Sequence, residues 1–146
     1  MAQVADSAAM AVCRHGWFDL HSCVLLEPII ICTFFNASMA PADAGAHLGD
    51  SSRPVGIWFD KFSDGRGFTL ARHLREAAHH AGQLLADGHL IPDQADYLRR
   101  CGFSHVRILT DSAAQWRLSM SLAPPAMQHV LGTARARACR DPADVR

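Results

Sequence analysis

Lysine is all but missing from this chain: Lys61 stands alone among thirteen arginines. A coding bias toward arginine and alanine explains that scarcity without any function. Net charge is missing as well, because 14 basic and 14 acidic side chains cancel and the isoelectric point is near 7.1. No global field therefore draws nucleic acid or an anionic membrane. Aromatic residues do not interleave with basic ones, so the stacking pattern of single-strand nucleic-acid binders is lacking. The five cysteines, at 13, 23, 32, 101 and 139, form no C-x-x-C pair and no zinc-type Cys/His spacing. An odd, unpaired set fits a reducing compartment. No apolar run reaches the ~20 residues of a spanning helix; the longest, 24–35, contains Glu27 and Pro28. Asp6 and His15 fall where a signal peptide needs an unbroken apolar segment. These absences predict a cytoplasmic protein with neither a membrane nor a nucleic-acid partner.

What is present is enough apolar side chain, 49% of 146 residues, to bury the core of one domain. Residues 1–22 show no steady period and read as a loose leader, followed by a single domain over 23–130. "PIIICTFF" at 28–35 is β-branched and aromatic, the composition of a strand covered on both faces. Residues 40–54 read as a loop with at most one short helix near 43–48. "VGIWF" is a second strand. Thr69 is placed to cap a helix carrying Leu70, Leu74, Ala77, Ala78 and Ala81 on one face, with Gly82 ending it. "QLLA" is a short strand. Pro92 and Asp93 suit the start of the next helix. Gly102 suits the left-handed position after its end, with Phe103 folding back on Leu98. "HVRIL" is the last strand. Thr110 or Asp111 caps a final helix through Ala113, Trp116 and Met120, which Pro124 and Pro125 stop. The tail, 131–146, is polar, arginine-rich and expected to be disordered.

The alternation βαβαβα predicts a small α/β domain with a mostly parallel sheet of about four strands. It is either half-(β/α)-barrel-like or a short doubly wound sheet. All strand-to-helix turns then open on the carboxyl edge, where α/β proteins bind ligands. Those turns are 60–67, 87–91 and 110–112. The first, "FDKFSDGRGF", combines Lys61, Asp64, Gly65, Arg66 and Gly67 just before a helix. Backbone N–H groups there, with Lys61 and Arg66, are the ingredients of an anion site, Asp64 orienting Arg66 and Thr69 contributing from the helix. Equally, Asp64-Gly65 is a tight turn whose carboxylate pairs with Arg66 or Arg72. Neither G-x-x-x-x-G-K-[ST] nor G-x-G-x-x-G occurs. His89, in the second turn, is the histidine best placed for acid–base work, although a loop histidine is ordinarily just polar. His79 and His80 diverge by ~100° on a helix, read as surface residues and offer no metal site. Cys101 sits at a helix end where burial is its simplest role. Asp93 and Gln94 are further carboxyl-edge candidates, with Asp93 serving equally as a complement to the helix dipole.

The segments "FDKFSDGRGF", "LARHLRE" and "DQADYLRRCGF", in this order, resemble the bacterial family known as domain of unknown function 934. The matching residues are Lys61, Phe62, Ser63, Asp64, Gly65, Arg66, Gly67 and Phe68, then Ala71, Arg72, Leu74 and Arg75, then Gly88, Asp93, Gln94 and Arg99 to Phe103. The likeness covers about residues 54–122. It implies a cytoplasmic α/β protein tied to assimilatory sulfate and sulfite reduction, as an accessory factor or an oxidoreductase of unknown cofactor. On that reading Lys61, Arg66 and His89 are the catalytic candidates, and the anion-binding loop is Lys61 to Thr69. The competing reading is a non-catalytic module that docks on sulfite reductase components or forms a homodimer. Asp60 stands where the family has proline, which is expected to loosen the loop. Leu85 and His89 replace a basic and an acidic residue around the glycine turn.

Overall fold

A computed structural model of the chain describes residues 15–26, 33–50 and 52–123. Four strands follow one another in parallel along one side of the sheet, out to its edge. They are β3 (Thr33–Asn36), β4 (Val55–Phe59), β5 (Leu84–Gly88) and β6 (His105–Leu109). Between them lie α1 (Pro41–Ala46), α2 (Arg66–Glu76) and α3 (Ala95–Arg100), with α4 (Ala113–Leu122) after β6. Each crossover steps to the next strand in the same direction, so right-handed connections place every helix on one face. A doubly wound sheet would reverse its strand order at a switch point. This one does not, which selects the half-barrel-like form of the expected α/β architecture.

Sequence order was misleading at the N-terminus. The segment expected to be a leader contains β1 (His15–Asp19), which pairs antiparallel with β6 and with the two-residue β2 (Leu25–Leu26). Among the described residues the sheet therefore has six strands, β2-β1-β6-β5-β4-β3, rather than about four. "HGWFD" is only five residues long, too few to show a period, yet Trp17, Phe18 and Leu20 are buried. Residues 1–14, 27–32 and 124–146 lie outside the described residues. They include most of the first expected strand, the Pro124-Pro125 stop and the arginine-rich tail. The part of the first strand that is described, β3, is an edge strand and is not covered on both faces, since Phe34 is 44% exposed.

One face of the sheet packs on the helices. Val55, Ile57 and Phe59 of β4 join Leu84 and Ala86 of β5, Val106 and Ile108 of β6, and Leu70, Leu74, Leu98 and Trp116 of the helices in one core. Residues of opposite parity, such as Trp58, point the other way. Phe59 is central, with its ring 5.3 Å from Phe68 and 5.9 Å from Phe103. No helix among the described residues is long and apolar enough to cross a membrane.

Helix ends differ in part from the expected ones. α2 begins at Arg66 behind Gly65, so Thr69 lies inside the helix and caps nothing. It ends at Glu76, well before Gly82, and the chain turns at His79, whose φ is +53°. Gly82 instead lies against the Ser52 carbonyl, where a Cβ would collide. α4 is entered through a single 3₁₀ turn, Thr110–Ser112, without a side-chain cap. The end of α3 is as expected: Gly102 has φ +106°, its N–H donates to the Arg99 carbonyl, and Phe103 N–H donates to that of Leu98. This is the paired bonding of a Schellman ending.

Arg75 ties these ends together. It is 92% buried, and its guanidinium donates to three backbone carbonyls, those of Gly102 (2.9 Å), His80 (2.9 Å) and Gly82 (2.7 Å). Burial lowers its pKa to about 10, which still leaves it charged at neutral pH. Arg75→Leu strands three buried acceptors and should lower the unfolding free energy by about 3 kcal/mol in urea titrations. A loss within roughly 0.5 kcal/mol, the range of an ordinary surface change, would remove Arg75 from this role.

Candidate functional site

The carboxyl ends of β4, β5 and β6 surround a cavity of about 560 Å³. Its wall includes Trp58, Asp87, His89, Arg107, His15 and Trp116. Strand alternation sets three of these. Trp58 is beside Asp87 in register, and both project away from the helices, as does Arg107. Arg107 Nη1 donates to Asp87 Oδ2 at 3.2 Å, and Asp87 Oδ1 accepts the Gly88 N–H at 2.7 Å. Gly88 turns the chain out of β5 with φ +108°, where a side chain would run into the Phe59 carbonyl. That turn presents His89, exposed, at the rim, with its N–H bonded to the Phe59 carbonyl at 2.9 Å.

Trp58 is fixed by its neighbour. Its Nε1–H donates to Asp60 Oδ1 at 2.8 Å, and Asp60 Oδ2 accepts from Asn36 Nδ2 at 3.1 Å. Asp60 thus joins the ends of β3 and β4 where it was expected to loosen the loop. A proline has no acceptor with which to do this.

The 61–69 loop follows directly. Asp64 accepts the Arg66 backbone N–H at 3.1 Å and holds its guanidinium through both carboxylate oxygens at 2.9 Å. The Arg66 guanidinium keeps the Asp64 carboxyl below the usual carboxylate range. An external anion at the start of α2 would meet these same donors, and Asp64 already occupies them. Lys61 is exposed; its carbonyl accepts the Asp64 N–H at 3.1 Å, and its ammonium makes no hydrogen bond or ion pair among the described residues. The two motif glycines differ in kind. Gly65 has open space around it, whereas a Cβ on Gly67 would enter the Phe59 ring. Gly67 therefore serves close helix–strand packing. Thr69 is exposed on α2.

Gln94 is a strut: its Nε2 donates to the Phe62 carbonyl at 2.7 Å and its Oε1 accepts the Ile91 N–H at 3.1 Å. It holds the first turn against the 3₁₀ turn Pro92–Gln94. Asp93 is exposed and lies in a separate groove of about 870 Å³ between α3 and α4. That groove carries Ile91, Tyr97, Leu118 and Leu122, with Tyr97 51%, Leu118 60% and Leu122 74% exposed.

Other chemistry-bearing residues are structural. His80, expected at the surface, is 97% buried, with Nε2 3.2 Å from the Gln83 carbonyl. Burial pushes its pKa down, against the Gln83 carbonyl and with the help of Arg75. Burial pushes the Cys101 thiol up. Ser104, His105 and Asp19 have the composition of a nucleophilic triad, with Nδ1 2.8 Å from the Ser104 hydroxyl and Nε2 3.7 Å from Asp19. Yet Ser104 is buried, its hydroxyl engaged with both the N–H and the carbonyl of Leu84. The group lies at the amino edge and braces strands. Among the described residues, no three His, Cys, Asp or Glu side chains converge as a metal requires.

The structure thus unites His89 with four residues that sequence reasoning passed over: Trp58, Asp87, Arg107 and His15. A usable signal existed, because Asp87 and Arg107 are charges within otherwise apolar strands. Lys61, Arg66, Asp93 and Gln94 stand outside that cavity's wall. Fold and site define a small singly wound α/β domain with a cleft on its carboxyl edge. Residues 36–127 match the family model of a bacterial protein of unknown function, DUF934, and the chain belongs to that family. No curated protein and no solved structure matches it.

The glycine assignment is testable in the loop itself. Gly67→Ala should cost about 1–3 kcal/mol through displacement of Phe59, while Gly65→Ala should stay within about 0.5 kcal/mol. Thermal melts of both variants check this; equal effects would contradict it.

Proposed function

We propose that this protein works by binding, as an accessory factor of assimilatory sulfite reduction that docks a partner on the groove between α3 and α4. The pathway comes from the family resemblance of the 61–68 and 93–103 segments. The observation that supports docking is the groove itself. Tyr97, Leu118 and Leu122 line one concavity while half or more of their surface meets water. Apolar groups gathered in this way mark interaction surfaces more often than chance exposure. The partner is a sulfite reductase component, with a second copy of the chain as the competing occupant. Light scattering and pull-down with reductase components should give a stable complex that Leu118→Asp with Leu122→Asp abolishes. A complex indifferent to both changes, or none at all, removes the docking reading.

A second reading keeps the 61–69 loop as an anion contact, supported by the exposed ammonium of Lys61, which has no ion pair among the described residues. An anion entering there must displace Asp64 from Arg66, so weak binding is expected. Calorimetry with sulfite, sulfate and phosphorylated adenosines should show heats that fall in Lys61→Ala and Arg66→Ala. Identical heats in all three proteins eliminate it.

A further inference from the structure

We infer that the carboxyl-edge cavity is a separate site for a planar heteroaromatic ring of the nucleobase type, stacked on Trp58 and read at its edge by Asp87 and Arg107. Size permits this, since about 560 Å³ falls within the range of small-molecule sites. So does the geometry of the tryptophan. With Nε1–H committed to Asp60 at 2.8 Å and Asp60 anchored on Asn36, the indole cannot swing freely, and what Trp58 offers is its ring. A fixed indole is a stacking platform for any flat π-system.

The polar pair beside it is incompletely used. Asp87 accepts one hydrogen bond on each oxygen, from Gly88 and Arg107, and a carboxylate has about four acceptor positions. Arg107 gives one N–H to Asp87, and the rest of its ~five donors have no partner among the described residues. A carboxylate next to a guanidinium presents an acceptor beside donors. The complementary edge carries a donor beside an acceptor, as purine and pyrimidine rings do. The pair also cancels its own charge, so the cavity favours a neutral ring over a bare oxyanion. Asp87 is only 13% exposed at its side chain, which strengthens its bonds relative to those of a surface carboxylate.

Trp58 and Trp116 both line the cavity, so two of the chain's three tryptophans report on its occupancy. Tryptophan emission of the full chain is titrated with adenosine, guanosine and cytidine as free nucleosides, and calorimetry repeats each titration. At least one nucleoside should quench saturably. Trp58→Leu should weaken its calorimetric affinity roughly tenfold or more, the scale of one lost stacking contact. Arg107→Gln should weaken it as well while the circular dichroism melt stays in place. Lys61→Ala and Leu118→Asp should leave it unchanged, which separates this site from the loop and from the docking groove. If Trp58→Leu fails to fold, Arg107→Gln alone decides. No saturable response to any of the three nucleosides, or a response that Arg107→Gln retains in full, overturns the assignment.

Discussion

A buried guanidinium with no carboxylate partner among the described residues holds the amino edge of this domain in place. Arg75 reaches from α2 into the gap between two connections and bonds to the carbonyls of His80, Gly82 and Gly102. Desolvating a cation costs several kcal/mol, while each bond from a charged donor returns about 1.5–3 kcal/mol. Three such bonds roughly offset that cost, so the net stabilisation is small and the specificity is large. Arginine alone has a planar fork with enough donors for three carbonyls in different segments. Gly102 completes the fit, since a Cβ there would press on Arg75 Cγ at 2.6 Å. The same glycine supplies the left-handed turn that ends α3. One residue pair thus sets where both β5 and β6 begin, and with their starts fixed, their carboxyl ends are fixed too.

Those carboxyl ends are arranged around Phe59. Gly67 brings α2 against its ring and Gly88 brings the end of β5 against its carbonyl. The Asp-Gly-Arg-Gly motif, which has the composition of a phosphate loop, is here a self-satisfied turn followed by a glycine that permits close packing. Asp64 supplies the negative charge that the start of α2 favours, together with a two-point bond to Arg66. The resulting loop is charge-balanced, with Asp60, Lys61, Asp64 and Arg66 within seven residues.

Much of the architecture was legible because its signals are local. Pro92, Gly102 and the apolar "VGIWF", "QLLA" and "HVRIL" runs each act within their own element, and three of the parallel strands followed directly from these runs. The failures share one cause, dependence on distant partners. β1 is a strand because β6 lacks a neighbour on that side, and five residues of its own sequence do not say so. His80 looked like a surface histidine because its burial comes from the chain turning at His79. The cavity was hidden for the same reason. Trp58 and Arg107 are separated by 49 positions in sequence (107 − 58) yet border the same cavity, because β5 brings Asp87 between them. Local composition does place His89 correctly on a carboxyl-edge turn, but it cannot choose between His89 and Lys61 as the residue beside a cavity.

The 3₁₀ turn Pro92–Gln94 is where these surfaces meet. Pro92 borders both the carboxyl-edge cavity and the α3–α4 groove, as does Gln115 of α4. Gln94, two residues on, holds the 61–69 loop through the Phe62 carbonyl. A ring in the cavity and a partner in the groove would therefore both border Pro92 and Gln115. Short 3₁₀ segments have poorer hydrogen-bond geometry than α-helix and yield more readily. The turn is thus an element shared by all three surfaces. β1 and β2, by contrast, lie outside the family-matched span and lend β6 a paired edge. The family-matched span, 36–127, contains the turn, the groove and the cavity's Asp87–Arg107 pair, while His15 of β1 joins the cavity's wall from outside that span.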